Sequence, residues 1–220
     1  ASKLRSSQAN MEGFRPYARK FAEVLGSLAE RAGEGASPLL VPKPDVKRIH
    51  LVLCTSDRGL CGGFNTNLIE KAEAFMKEKA GSGIEFSFTA FGRKGRNWCR
   101  KVKTPIASEH IGIMGTAVKF NEAATPGRKL VQGFLEGAYD EVYVVYAEFL
   151  SMAKQAPVLK KLLPIPPIEK AETDSGSLDQ GYLPEHICDP SAAELLGEML
   201  PRNVFVQLSR APLGASASGQ

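Results

Sequence analysis

The chain has 220 residues, 43% of them hydrophobic, and a formal net charge of +4. That is enough for one large α/β-sized domain with or without appendages, and too mildly basic to mark a nucleic-acid binder by charge alone. No apolar run approaches the roughly 18–20 residues of a membrane span, and the opening ASKLRSSQANMEGFRPYARK has no apolar stretch of the secretory-signal kind. It also lacks an initiating Met, so the chain reads as processed or truncated.

Residues 1–32 predict a helix. Leu4, Met11, Phe14, Ala18, Phe21, Leu25 and Leu28 form an apolar stripe with charges between, interrupted at Pro16. Such a stripe needs a distant partner, because the next segment, 33–47, is rich in Pro and Gly and reads as a linker.

Residues 48–70, RIHLVLCTSDRGLCGGFNTNLIE, are the most informative stretch. Ile49 to Cys54 predicts a buried strand and Thr55-Ser56-Asp57-Arg58 a polar turn. Gly59-Leu60-Cys61-Gly62-Gly63 forms a glycine-dense elbow. A helix opens near Asn65, with Leu68, Ile69, Ala72 and Phe75 on helical spacing. Strand, glycine elbow and helix begin many α/β domains, and the elbow is a common ligand position.

Further along, Ile84–Phe91 predicts a second strand, Arg93–Lys103 a short basic helix, and Thr104–Thr116 a strand plus loop. Val118–Gly137 returns to helical spacing, with Pro126-Gly127 expected to stop the helix or open a new one. Glu141–Leu150 (EVYVVYAEFL) is the clearest strand. Pro157–Ile165 follows closely enough for an antiparallel hairpin, with Lys160-Lys161 guarding an edge. Residues 169–180 are polar, 182–188 suit a short strand, and Pro190 opens a helix carrying Leu195, Leu196, Met199, Val204, Val206 and Leu208. Pro212 and Gly214 stand against a regular helix over 210–220.

Few residues advertise chemistry. Gly59-x-x-Gly62-Gly63 matches neither G-x-G-x-x-G nor a Walker loop. Its amides could still cradle an anion, although positive φ or close packing is the simpler reading. Cys61 sits near a helix start beside Arg58, which favours a thiolate, but no His accompanies it locally. Cys54, Cys61, Cys99 and Cys188 have no metal-type spacing, and Cys54 reads as a small core residue. His50, His110 and His186 are scattered. The cluster Arg93, Lys94, Arg96, Arg100, Lys101 and Lys103 is either an anion patch or a solvated helix face, with Trp98 its only possible stacking ring. Asp57 and Arg58 could react, pair with each other, or meet a partner protein. No paired carboxylates or Ser-His-Asp order stand out. A stand-alone α/β enzyme binding a phosphorylated ligand at the Gly59–Gly63 elbow remains the alternative to a protein with a macromolecular partner.

The string TSDRGLCGGFN, residues 55–65, resembles the signature of the gamma subunit of F-type ATP synthases. SKLRSSQANMEGFRPYA, FGRKGRNW, DEVYVVYAEF, APVLKKLLPI and LPRNVFVQLSRA resemble further blocks of that family in the right order. The resemblance implies a Rossmann-like α/β domain with a mixed sheet (48–189), inserted between N- and C-terminal helices (1–32 and 190–220) that form an antiparallel coiled coil. It implies the rotor of a proton-translocating ATP synthase: a non-catalytic central-stalk subunit with no cofactor, no metal and no nucleic-acid partner. Its implied partners are the alpha and beta subunits of the catalytic hexamer, the epsilon subunit and the membrane ring of c subunits. Its implied place is the cytoplasmic face of the bacterial inner membrane, peripheral and without insertion. The resemblance also carries a partner-contact role onto Asp57, Arg58, Gly59, Cys61, Gly62, Gly63 and Asn65. Ala147 and Lys154 depart from the family's usual Asn and Thr. Both shaft helices look cut short, so the chain reads as a fragment.

Overall fold

The computed structural model describes residues 23–24, 26–27, 37–57, 63–112, 120–151 and 154–166. Its strands are β1 (Arg48–Cys54), β2 (Glu85–Phe91), β3 (Ile106–His110), β4 (Glu141–Ser151) and β5 (Lys154–Leu163); its helices are α1 (Phe64–Glu78), α2 (Arg93–Lys101) and α3 (Phe120–Leu135). The five strands form one mixed sheet in the order β3-β2-β1-β4-β5. β1 pairs in parallel with both β2 and β4, β2 in parallel with β3, and β4 antiparallel with β5.

The centre of the sheet follows from sequence. A strand with parallel neighbours on both sides and helices over both faces reads as an unbroken apolar run. Ile49, Leu51, Val52, Leu53 and Cys54 are all 0% exposed. Ile49, Leu51 and Leu53 face one cluster with Leu68 and Ala72 of α1, Phe88, Cys99 of α2, and Tyr143, Val145 and Ala147 of β4. Because successive side chains alternate across a strand, His50, Val52 and Cys54 face the other layer. There the His50 ring stacks on Tyr139 at 4.8 Å, and the Tyr139 hydroxyl donates to the carbonyls of Lys129 and Leu130 in α3. With α1 and α2 on one face and α3 on the other, the chain winds outward from β1 through β2 to β3, then crosses back to β4. The switch point of this winding lies between β1 and β4, just beyond the C-terminal end of β1.

The start of β1 is held by Asp140. Its Oδ2 accepts from the amides of Lys47 and Arg48 at 2.8 and 3.0 Å, and its own amide donates to the Arg48 carbonyl at 2.8 Å. Burial alone would raise this carboxyl's pKa, but the two amide bonds and the nearby Lys43 and Arg48 charges outweigh it and hold the pKa below the ordinary value. Lys43 also donates to the Phe134 and Tyr139 carbonyls beyond the last turn of α3, where a cation suits the helix dipole.

Several expectations change. The predicted linker 33–47 is, over its described part, packed against the sheet domain. Ser37 caps a 3-10 turn at Pro38–Leu40, Leu39 is buried, and its carbonyl accepts from Ile165 N at 2.7 Å. The expected break at Pro126-Gly127 does not occur: α3 runs through it. Proline removes one helical hydrogen bond, and burial of Pro126 and Gly127 in a helix packed on the sheet offsets that loss. The hairpin forms as expected, but β5 starts three residues earlier than Pro157, at Lys154. Lys161 lies inside the pairing as the partner of Glu141 at 2.7 Å. Residues 23–24 and 26–27 are helical. The rest of the N-terminal helix, the strand at 182–188, the C-terminal helix and the expected coiled coil lie outside the described residues.

His50 gives this core a pH dependence. The ring is 1% exposed, and burial lowers its pKa from 6.5 to about 4. The unfolded chain therefore binds a proton before the folded chain does as pH falls. The stability contribution is complete above pH 6.5 and is lost progressively toward pH 4. The full loss is about 3 kcal/mol, with about 2 kcal/mol gone by pH 5. Urea midpoints measured from pH 7.5 to 5 should fall accordingly, and His50→Gln, which keeps a donor and an acceptor, should flatten the slope. An equally steep slope in His50→Gln would remove His50 as the source.

Candidate functional site

β1 ends in Thr55-Ser56-Asp57, and the next described residue is Gly63. The first helix beyond that gap, α1, is capped by Gly63 with φ −76° and ψ 0° and no side-chain cap. Gly63 thus takes an ordinary right-handed conformation. A Cβ there would first meet Asn67 Nδ2 at 3.4 Å, so neither positive φ nor close packing explains this glycine. Arg58, Gly59, Cys61 and Gly62, including any thiolate role for Cys61, lie outside the described residues.

The turn itself is committed to α2. Helix N-termini leave free amides that need acceptors, and α2's own cap, Gly92, has no side chain to offer. The turn supplies acceptors from three consecutive residues. Arg93 N donates to Asp57 Oδ1 at 3.0 Å, Lys94 N to the Ser56 carbonyl at 3.3 Å, and Gly95 N to Thr55 Oγ1 at 2.7 Å. Thr55 is further tied to β2, its amide and its hydroxyl both donating to the Phe91 carbonyl. Such an approach requires glycine at 92. Its φ is +88°, and a Cβ would lie 2.1 Å from the Thr55 carbonyl oxygen. A Cβ at Gly95 would likewise crowd the turn, 2.9 Å from Thr55 Oγ1.

Asp57 reaches a third element. Its Oδ2 accepts from Gly112 N, beyond β3, at 2.9 Å. On the other side of the gap, Asn65 turns back to the same turn: its Oδ1 accepts from Ser56 N at 2.9 Å and its Nδ2 donates to Ser56 Oγ at 2.9 Å. Asp57 and Asn65, named from sequence as partner contacts, are therefore both bonded within the domain, one at each foot of the stretch 58–62. Of the roles expected for Asp57 (reaction, pairing with Arg58 or contact with a partner protein), the described residues show a further one, acceptance from two backbone amides. The sequence signal was present in T-S-D followed, 36 residues on, by a glycine-led helix, but the pairing of distant segments carries no local period.

A groove of about 220 Å³ lies at the switch point, between the start of α1 and the β4–β5 hairpin. Phe64, Leu68, Ala147 and Pro157 give it apolar walls, with Asn67 and Gln155 as polar neighbours and no Lys or Arg among its described lining residues. Gln155 Oε1 is a buried acceptor without a partner among the described residues. The basic helix offers no stacking platform either. Trp98 is turned inward, edge-on to Phe88 at 5.5 Å, and its indole donates to Glu73 Oε1 at 3.0 Å. Cys54 and Cys99 are buried, and burial pushes each thiol up to about 12, which removes both as nucleophiles near neutral pH. Among the described residues no group of His, Cys, Asp or Glu is placed to hold a metal ion, and no helix is long and apolar enough to cross a membrane.

Comparison with known proteins gives one answer. A protein family described as ATP synthase matches residues 1–220. The ATP synthase gamma chain of Desulfosudis oleivorans is 59% identical over 99% of this chain and 73% of its own length. That of Desulforapulum autotrophicum is 52% identical over 99% and 74%. Among solved structures, a chain of the Tetrahymena thermophila mitochondrial ATP synthase central stalk and c-ring superposes with a TM-score of 0.65 at 20% identity, covering 99% of this chain and 89% of that one. At that identity the likeness speaks for the fold.

The glycines separate cleanly in a stability experiment. Gly92→Ala should cost at least about 3 kcal/mol, through a backbone clash and a left-handed φ. Gly63→Ala should stay within about 1 kcal/mol. Asp57→Ala should cost about 1–2 kcal/mol by uncapping α2, and Asp57→Asn, which keeps one acceptor oxygen, should cost less. Denaturant midpoints of the four variants test this ordering; Gly92→Ala as stable as Gly63→Ala would refute the packing described.

Proposed function

Because the chain belongs to the ATP synthase gamma-chain family, we propose that the stretch rooted on Asp57 and Asn65 is where its sheet domain meets a catalytic subunit. The chain is a non-catalytic subunit of the ATP synthase complex, the rotor of its central stalk. Its work is transmission of torque by shape and contact. A part that transmits torque needs a stiff root beneath each contact surface, because a contact that yields dissipates rotation as local deformation.

The observation that supports this reading is the pair of anchors. Asp57 ties the first foot to α2 and to the end of β3, and Asn65 ties the second foot to the backbone of the turn. In this arrangement Asp57 and Asn65 position the stretch, and Arg58, Gly59, Cys61 and Gly62 present it to the partner, with Gly63 opening α1. The finer assignments follow the family: alpha and beta subunits around the shaft, the epsilon subunit and the c ring at the foot. The protein would then be peripheral at the cytoplasmic face of a bacterial membrane, with two terminal helices paired as a coiled coil. The rival, a phosphorylated ligand held at the elbow, would draw on the start of α1; the first amides of α2 are already taken by the turn, and the described lining of the nearby groove holds no Lys or Arg.

Two measurements decide between them. In the assembled complex, Arg58→Glu should leave co-assembly intact and reduce the coupling of ATP hydrolysis to ion transport several-fold. Coupling unchanged by that charge reversal would remove the contact role. Calorimetric titration of the chain with ATP, NAD or inorganic phosphate should show no stoichiometric binding tighter than about millimolar; tight binding would restore the rival.

A further inference from the structure

The face of the sheet opposite α1 and α2 carries a row of polar side chains that torque transmission does not require. Side chains two apart on a strand share a face, and the parallel register sets His50 beside Ser87 and Thr89 beside Ser108. His50, Ser87, Thr89, Ser108 and His110 therefore line up across β1, β2 and β3. His50 Nδ1 is 2.6 Å from Ser87 Oγ, and His50 Nε2 is 2.7 Å from Thr89 Oγ1. Ser108 Oγ donates to Thr89 Oγ1 at 3.4 Å and lies 3.3 Å from His110 Nε2.

A neutral imidazole has one N–H and one bare nitrogen, whereas a hydroxyl donates once and can accept as well. With Ser108 donating to Thr89, the arrangement that runs one way along the row has the Thr89 hydroxyl donating to His50 Nε2. That nitrogen is then the acceptor, and the proton of His50 sits on Nδ1, facing Ser87. At the other end Ser108, its own hydrogen spent, accepts from His110 Nε2–H. In that arrangement every donor points from His110 toward Ser87.

We propose that His50, Thr89, Ser108 and His110 form a directional hydrogen-bond relay that reports the state of the half-buried His110 to the buried centre of the sheet. His110 is also the place where such a signal would meet the loop root. Its carbonyl accepts from Gly92 N at 3.0 Å, and Gly112, two residues on, is the residue held by Asp57. The surroundings leave the relay as the polar path between the two rings. His110 stacks on Phe91 at 4.5 Å and faces the Lys129 charge of α3, which with burial favours its neutral form. Glu109 points to the other side, paired with Arg100 at 2.9 Å. His50 faces the Tyr139 ring, whose hydroxyl is committed to α3, and Lys43 and Asp140 associate with each other at 4.0 Å near that residue.

The test is long-range proton–nitrogen NMR on the full-length chain labelled with ¹⁵N-histidine. At pH 7.5 His50 should carry its proton on Nδ1 and His110 on Nε2, each as a single tautomer. As pH falls, the His50 nitrogens should shift with the midpoint of His110. Ser108→Ala should reduce that coupled shift at least five-fold and leave His50 a mixture of tautomers, and Ser108→Thr, which keeps the hydroxyl, should restore both. His110→Gln serves as a second variant, expected to remove the coupled shift while the fold is retained. The proposal is overturned by a His50 proton on Nε2 in the parent chain. It is equally overturned by a coupled shift that persists unchanged in Ser108→Ala or His110→Gln.

Discussion

Three backbone amides at the start of α2 need acceptors, and the turn that follows β1 provides them in sequence: a hydroxyl from Thr55, a carbonyl from Ser56 and a carboxylate from Asp57. Much else follows from that arrangement. It requires the helix to begin flush against the turn, which only a glycine at 92 permits. It spends the helix end that an anion would otherwise occupy. It also sets a negative carboxylate beside a first turn whose cations, Arg93 and Lys94, oppose the helix dipole. Free amides at a helix start make either a ligand site or a structural joint, and here they make a joint.

The two ends of β1 are built alike. At its start, the Asp140 carboxylate takes two consecutive amides and fixes where the strand leaves the loop. At its end, the Asp57 carboxylate takes two amides from segments 19 residues apart in sequence, Arg93 and Gly112. The first is a local fastening and the second ties three elements together. Replacing Asp140 by an apolar residue would leave two part-buried donors unpaired, which costs more than the net worth of the bonds themselves, whereas the exposed amides held by Asp57 would turn to water. Buried or half-buried carboxylates in such places do not imply catalysis.

Much of the fold was legible because its signals are local. The apolar run of β1, broken by His50 alone between Ile49 and Cys54, the helical spacing of Leu68 and Ala72, and the Val- and Tyr-rich β4 each point to one element, and all three formed. Where sequence reading failed, the cause was tertiary. Pro126 was expected to end a helix because proline lacks a donor, yet burial of that turn carries the helix through. Residues 37–47 read as a linker from composition, while Leu39 and Lys43 find partners more than ninety residues away. At the candidate site, the importance of Asp57 and Asn65 was visible in the string, but not their role. Nothing in T-S-D-R-G indicates that the aspartate faces inward to another helix. The glycine that matters most for packing among those described, Gly92, lies outside the glycine-rich elbow.

A doubly wound sheet invites a ligand at its switch point, and this one has the groove in the expected place. The described lining of that groove offers little to a phosphorylated ligand, since it holds no Lys or Arg, and the first amides of α2 are already given to Thr55, Ser56 and Asp57. Fold and function therefore separate here in a physically specific manner. At α2, amides that could bind a small anion instead brace the turn that follows β1. A braced loop on a rigid sheet suits a subunit whose task is to push on its neighbours rather than to hold a substrate.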